Sequence, residues 1–388
     1  MALALQPRSL RSRLFLLAGQ LRLGKFKKTN PNAEKGASTS ALCIESGRQY
    51  LNRGEIDEAC CCFKTALRLG ENRAEGLFWL GKAYQQARRW DSALSVWNEY
   101  LKNRPDSLEG WNCKGETLLS LGRLKEAENC FNRALTLKPD DPFTLNNQGN
   151  CFLMQKRYYD ALRCIELALR GCPRDPAILS NAALVLANLG RYKESIEYYT
   201  KAWRRGYKEA TFLNNFGVAL AKAGQYQQAA EIYRTHLEYM DLSDLETLTN
   251  LASVFSQAGS YGEAKEYYQR ALTLCPQDWN LLNNLAMTLE AVGELNSALA
   301  KYDQALAIKP DHPVLLLNKA VCLKKMHQED EAIKHLKHLL RHNPQNRAAW
   351  GHLGELMAKR GKTSIAVECY NLACGLCHYE GYLNLLSS

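Results

Sequence analysis

Apolar positions along the chain fall at helical spacing and come as alternating pairs of stripes. Leu145, Gly149 and Phe152 lie at i, i+4 and i+7, and Leu213, Phe216, Gly217 and Leu220 repeat the arrangement further on. A second stripe follows the first, as in Ala229, Tyr233 and His236 or in Ala264, Tyr268 and Ala271. Between the stripes stands a glycine (Gly54, Gly122, Gly190, Gly224, Gly259, Gly293, Gly361), and beyond the second comes a proline (Pro105, Pro139, Pro173, Pro276, Pro310, Pro344). Glycine admits the positive φ that a tight helix exit needs, and proline cannot donate into a continuing ladder. The pattern therefore predicts helix–turn–helix hairpins, each ended before the next begins.

The hairpins recur at a fixed interval. Small residues stand at Gly47, Gly81, Gly115, Gly149, Ala183, Gly217, Ala252, Ala286, Ala320 and Gly354, every step being 34 residues except one of 35 between Gly217 and Ala252. Twelve residues after each comes a second small series, Ala59, Ala93, Ala127, Ala161, Ser195, Ala229, Ala264, Ala298, Ala332 and Ala366. Four further on stands a large residue: Phe63, Trp97, Phe131, Ile165, Tyr199, Tyr233, Tyr268, Tyr302, Leu336 or Tyr370. Numbering each unit so that its first small residue is position 8 puts the second at 20 and the large one at 24. Small residues at 8 and 20 let the two helices approach, and the large one is expected to fill space toward the neighbouring unit. One hairpin cannot bury such a face alone, so the units must stack.

These intervals resemble the tetratricopeptide repeat family, whose unit is 34 residues of two helices. The resemblance covers about nine tenths of the chain, with units starting at residues 40, 74, 108, 142, 176, 210, 245, 279, 313 and 347. It implies an all-α, right-handed superhelical solenoid of about ten units, with the first helix of each lining a concave groove. The expected organisation is a basic segment and linker over 1–39, repeats over 40–380 and a tail over 381–388. The first and last units lack the closing proline, with Glu71 and His378 there, as do the fifth and sixth, with Tyr207 and Asp241. The extra residue near 241–244 is expected to alter stacking locally.

Composition narrows the class. The chain has 388 residues, 46% hydrophobic and 23% charged, which is globular material. No run approaches the roughly 18 apolar residues that cross a bilayer, and Leu14 to Ala18 is short for a secretory core of about 7–15 residues. The chain is expected in the cytoplasm, where its fourteen cysteines stay thiols. The net charge of +10 is uneven: residues 1–39 carry +7 and the rest only +3. A nucleic-acid binder carries its basic stripe on the folded body, so no nucleic-acid partner is expected. The Arg-rich, acid-poor amino-terminal segment, with Leu10, Leu14, Leu17 and Leu21 at helical spacing, leaves three readings open: an organelle transit peptide, a capping helix, or a surface helix for anionic lipid.

The candidate site is a series of asparagines at position 6: Asn147, Asn181, Asn215, Asn250, Asn284 and Asn318. An asparagine amide carries donors and an acceptor, so a row of them can pair with the backbone of an extended peptide. The series is similar to the asparagine ladder in the superhelical domain of O-linked N-acetylglucosamine transferase; asparagine is also common at this position across the family, and both readings stay open. Asn112, Asn146, Asn214 and Asn283 add amides at position 5. Glu45, Trp79, Cys113 and His352 occupy position 6 in the first three and last units, so any ladder is central. The family's basic clamp for a terminal carboxylate is not expected, because Asn146, Asn150, Asn181, Thr211 and Asn215 stand where it needs Lys and Arg.

Other motifs fall into the repeat frame. Cys374-Gly-Leu-Cys377-His378 matches the haem-attachment pattern, but Cys377 shares position 31 with Cys172 and Cys275, a packing slot. Cys130, Cys164 and Cys369 share position 23 with Cys62. In the Cys60-Cys61-Cys62 run, adjacent helical residues point apart and cannot share one ion. Gly361-Lys362-Thr363-Ser364 lacks the earlier glycine of a phosphate loop, Leu356 standing there. His335, His338 and His342 share a helix face amid Lys334, Lys337 and Arg341, which favours a solvated basic face over a metal site. No cofactor and no metal are expected.

The expected function is a non-enzymatic scaffold or adaptor that binds an extended peptide or a partner's helix in the groove. The alternatives are a structural subunit of a larger assembly and a substrate-recruiting partner of a glycosyltransferase. A joined transferase would need hundreds of further residues, so the chain itself is not expected to be an enzyme.

Overall fold

The computed structural model describes residues 39–239, 242–376 and 386. The basic segment 1–38, Asp241, the Cys377-His378 end of the haem-like motif and the tail other than residue 386 lie outside them. Among the described residues every regular element is a helix, and the helices come as ten consecutive pairs. The chain divides at Arg205 and Gly206 into two compact units of five pairs each. In the first unit the pairs are α1 Thr39–Asn52 with α2 Ile56–Leu69, α3 Arg73–Gln86 with α4 Trp90–Asn103, α5 Leu108–Ser120 with α6 Leu124–Leu137, α7 Pro142–Met154 with α8 Tyr158–Gly171, and α9 Pro176–Asn188 with α10 Tyr192–Trp203. In the second they are α11 Ala210–Lys222 with α12 Tyr226–Tyr239, α13 Leu245–Gln257 with α14 Tyr261–Leu274, α15 Trp279–Val292 with α16 Leu295–Ile308, α17 Pro313–Lys325 with α18 Glu329–His342, and α19 Arg347–Lys359 with α20 Thr363–Cys374.

Local chemistry sets both ends of the first helices. Ser107, Asp141, Asp175, Asp244, Asp278 and Asn346 cap them by accepting from backbone N–H groups of the first turn. Pro142, Pro176 and Pro313 occupy the first turn, where their missing N–H is no loss. At the exit, the Gly122 N–H donates to Leu119 O and the Arg123 N–H to Leu118 O, both at 2.9 Å, with Gly122 at φ +72°. This Schellman closure turns the chain into the second helix without a side-chain cap. Position 15 is left-handed in every pair: where glycine is absent, Arg88, Lys156 and His327 hold φ of 55°, 61° and 59°. The turn geometry thus overrides the local residue, at about 1–2 kcal/mol per non-glycine.

The positions 8 and 24 interlock within a pair. A Cβ placed on Gly115 would lie 2.4 Å from the Phe131 ring, and one on Gly217 2.6 Å from the Tyr233 ring. The large residue therefore sits first against its own pair's glycine. The next pair then covers its outer edge: Tyr302 is 0% exposed, whereas Tyr370, in the tenth pair, is 40% exposed. Each such burial contributes about 1.5–3 kcal/mol. In the fifth pair Ser195 replaces alanine at position 20 and donates its buried hydroxyl to Ala183 O at 2.7 Å, which satisfies it.

Within each unit, consecutive first helices touch one another: α1, α3, α5, α7 and α9 in turn, and α11, α13, α15 and α17 in turn. Consecutive second helices make no comparable contact. Each stack is tighter on its first-helix side, and that side forms its inner wall.

Candidate functional site

The six asparagines at position 6 stand on inner-wall helices, one per pair, all half-buried. They do not meet one another. Four reach back to the preceding pair instead: Asn181 Nδ2 donates to Asn146 Oδ1 at 2.9 Å, Asn250 Nδ2 to Asn214 Oδ1 at 3.0 Å, Asn318 Nδ2 to Asn283 Oδ1 at 2.9 Å, and Asn147 Nδ2 to Glu116 Oε1 at 2.9 Å. Asn284 Oδ1 accepts from Asn283 at 3.4 Å. The position-5 asparagines were visible in the sequence, but their role as acceptors for position 6 of the next pair was not. The offset of 35 or 36 residues that links them is the signal that could have shown it. The four bonds to the preceding pair each use one of two amide protons, so Asn147, Asn181, Asn250 and Asn318 each have a second N–H and a carbonyl oxygen outside these bonds.

A cleft of about 290 Å³ opens along the inner wall of the second unit, lined by Met287, Ala291, Leu317, Asn318, Val321 and His352 among others. Met287 and Ala291 of α15 are exposed there, with Val321 of α17 half-buried beside them. Glu290 forms its floor, with Oε2 accepting from the Tyr302 hydroxyl at 3.1 Å and Oε1 paired with Lys325 at 2.7 Å. Burial, and then the Glu290 charge, push the Tyr302 phenol far above its ordinary value, so it stays a neutral donor. At one end, hydrogen bonding from Lys324 holds the Glu355 carboxyl low, helped by the Lys324 charge and His352. The cleft thus offers apolar side chains, an asparagine amide, an imidazole and a compensated ion pair. No sequence motif marks Met287, Val321 and Lys325. Their signal is that 287 and 321 are the same repeat position, with 325 one turn on.

The remaining candidates separate clearly. Burial pushes the Cys113, Cys130 and Cys369 thiols up to about 11, which makes them unreactive packing groups. His335 does not join His338 and His342: it is half-buried, and burial and Lys319 lower its pKa. His338 instead lies with Nε2 2.8 Å from Asp311 Oδ1, and its ring is 5.0 Å from that of His342.

Family models described as tetratricopeptide repeat match residues 44–107, 80–142, 114–176 and 249–313 in one form, and 176–204, 208–277 and 289–359 in others. The chain belongs to the tetratricopeptide repeat family. Such repeats form interaction scaffolds that are characteristically non-catalytic and bind protein partners. A comparison with curated proteins gave no match. Solved structures with a similar chain include the Cut9–Hcn1 hetero-tetramer of the APC/C (16% identity, 89% of this chain and 81% of that one, TM-score 0.48). A tetratricopeptide repeat protein from Parabacteroides merdae is similar at 18% identity over 69% of this chain and 98% of its own, with a TM-score of 0.47. YrrB, described as having an unusual peptide-binding site, is 22% identical over 49% of this chain and 97% of its own, with a TM-score of 0.45. Among the described residues no helix is long and apolar enough to cross a membrane.

Proposed function

We propose that this tetratricopeptide repeat protein is a non-enzymatic adaptor that holds an extended peptide segment of a partner on the inner wall of its helix pairs. In the second unit the surface comprises Asn215, Asn250, Asn284 and Asn318 with Met287, Val321 and His352; in the first, Asn147 and Asn181 occupy the corresponding positions. The observation that carries the reading is the coincidence, on one wall, of exposed apolar side chains with amides fixed in place by the neighbouring pair. An extended peptide needs both: its backbone seeks donors and acceptors at regular intervals, and its side chains seek apolar clefts. Amides already held by a neighbour lose little freedom on binding. The likeness of the sequence series to the asparagine ladder of O-linked N-acetylglucosamine transferase is consistent with a peptide-recruiting role through the same amide chemistry.

The test is affinity capture followed by mass spectrometry with three versions of the chain. Asn215→Ala with Asn284→Ala, and separately Met287→Glu with Val321→Glu, should lose the partner set that the unaltered chain retains. Val367→Glu, on the exposed side of a second helix, should keep it. Equal capture by all versions overturns the inner-wall reading and leaves the fold untouched.

A further inference from the structure

Asp311, His338 and His342 bring a carboxylate oxygen and two imidazole nitrogens within 4.8 Å of one another. We propose that they form a binding site for a late first-row divalent ion such as Zn²⁺, built between the loop that joins the eighth and ninth pairs and the end of α18.

The two histidines stand at i and i+4, which places both rings on one helix face. Helical spacing alone groups them with His335, which supplies no anion. The fold replaces His335 with Asp311, a residue 27 positions from His338 whose carboxylate already touches its Nε2 at 2.8 Å. A tetrahedral ion with bonds of about 2.0–2.2 Å needs ligand atoms roughly 3.3 Å apart, so only His342 has to close in. It is exposed and ends its helix, and is free to do so. An ion at His338 Nε2 takes the place of the shared proton, with the ring's N–H moving to Nδ1. Two imidazoles and one carboxylate favour Zn²⁺, Ni²⁺ or Co²⁺ over Mg²⁺ and Ca²⁺, which want oxygen alone.

Of the basic neighbours, Lys334 and Arg341 stand within a turn of His338, whereas Lys337 faces away from it. Lys337 lies among Lys362, Arg341 and Arg360, toward the tenth pair and its side of α18. The histidines face the other way, toward the preceding pair. The carbonyl end of α18 at His342 adds a favourable partial negative charge. The loop is itself anchored: His312, next to Asp311, packs on the Trp279 ring at 4.3 Å, and Lys309 lies over the same ring at 4.5 Å. Three protein ligands leave a coordination position for water.

Co²⁺ is the suitable probe because the chain also holds free thiols, Cys374 exposed among them. Equilibrium dialysis of the full chain should show one Co²⁺ site whose absorption spectrum lacks a thiolate charge-transfer band. His338→Gln, His342→Asn and Asp311→Asn should each weaken it at least tenfold at unchanged helicity, whereas His335→Gln should leave it intact. Zn²⁺ should displace the probe and Mg²⁺ should not. Absence of binding, a thiolate band on the bound ion, or affinity unchanged in His342→Asn overturns the proposal.

Discussion

Asn318 donates its side-chain amide to the Oδ1 of Asn283, one helix pair earlier, at 2.9 Å. Asn250 with Asn214 and Asn181 with Asn146 repeat the relationship. Asn181, Asn250 and Asn318 are therefore part of the seam between pairs, and replacing any of them removes one bond across it.

Because Asn283 is buried, breaking this pair should be measurable in stability. Asn283→Ala and Asn318→Ala are each expected to cost about 1 kcal/mol, with a coupling of about 0.5–1 kcal/mol in the double variant. Urea unfolding of the four chains checks it; strictly additive losses would contradict the seam.

Gly115 has no room for a methyl group against Phe131. Gly115→Ala should destabilise by about 1–3 kcal/mol, and Phe131→Leu in the same chain should recover part of the loss. Thermal melts of the single and double variants decide the point. A double variant less stable than both singles would show that the two side chains do not compete for one space.

Lys156 holds a left-handed conformation, φ 61°, that its side chain disfavours. Lys156→Gly is expected to raise stability by about 1 kcal/mol, and Gly122→Lys, at the equivalent turn, to lower it by about 1–2 kcal/mol. Denaturant midpoints of both variants test the sign.

Asp141 caps α7 and is buried. Burial opposes its ionisation, but hydrogen bonds from the Thr144 N–H and hydroxyl, with Lys138 beside them, prevail and hold its pKa below the ordinary value. A depressed carboxyl stabilises above its unfolded pKa of about 3.9, and the contribution fades as pH falls through the folded value. Asp141→Ala should therefore cost about 1–2 kcal/mol at neutral pH. The gap between the two chains should narrow below about pH 4, as read from unfolding at several pH values. A gap that widens in acid would reverse the assigned sign.

The all-α repeat architecture was legible because its causes are local or strictly periodic. Gly122 announces a turn, Pro139 the end of a unit, and the small residues Gly115 and Ala127 a close approach of two helices in one hairpin; Phe131 was expected toward the neighbouring unit and sits first against Gly115. The left-handed turns at Arg88, Lys156 and His327 were not legible, because there the stacked hairpin dictates a conformation the residue itself resists. The asparagines were found, yet not their partners: Asn181 meets Asn146 only once two pairs stack. Asp311 was missed beside His338 for a similar reason, since it comes from the loop between two pairs and no helical spacing relates them.

Partners are expected on the first-helix side of the pairs. A photo-reactive residue placed at Met287 on the inner wall, compared with one at Val367 on α20, tests it most directly through the partner peptides each captures. Efficient cross-linking is expected from position 287 and little from 367; the opposite order would put partners on the second-helix side and overturn the inner-wall reading.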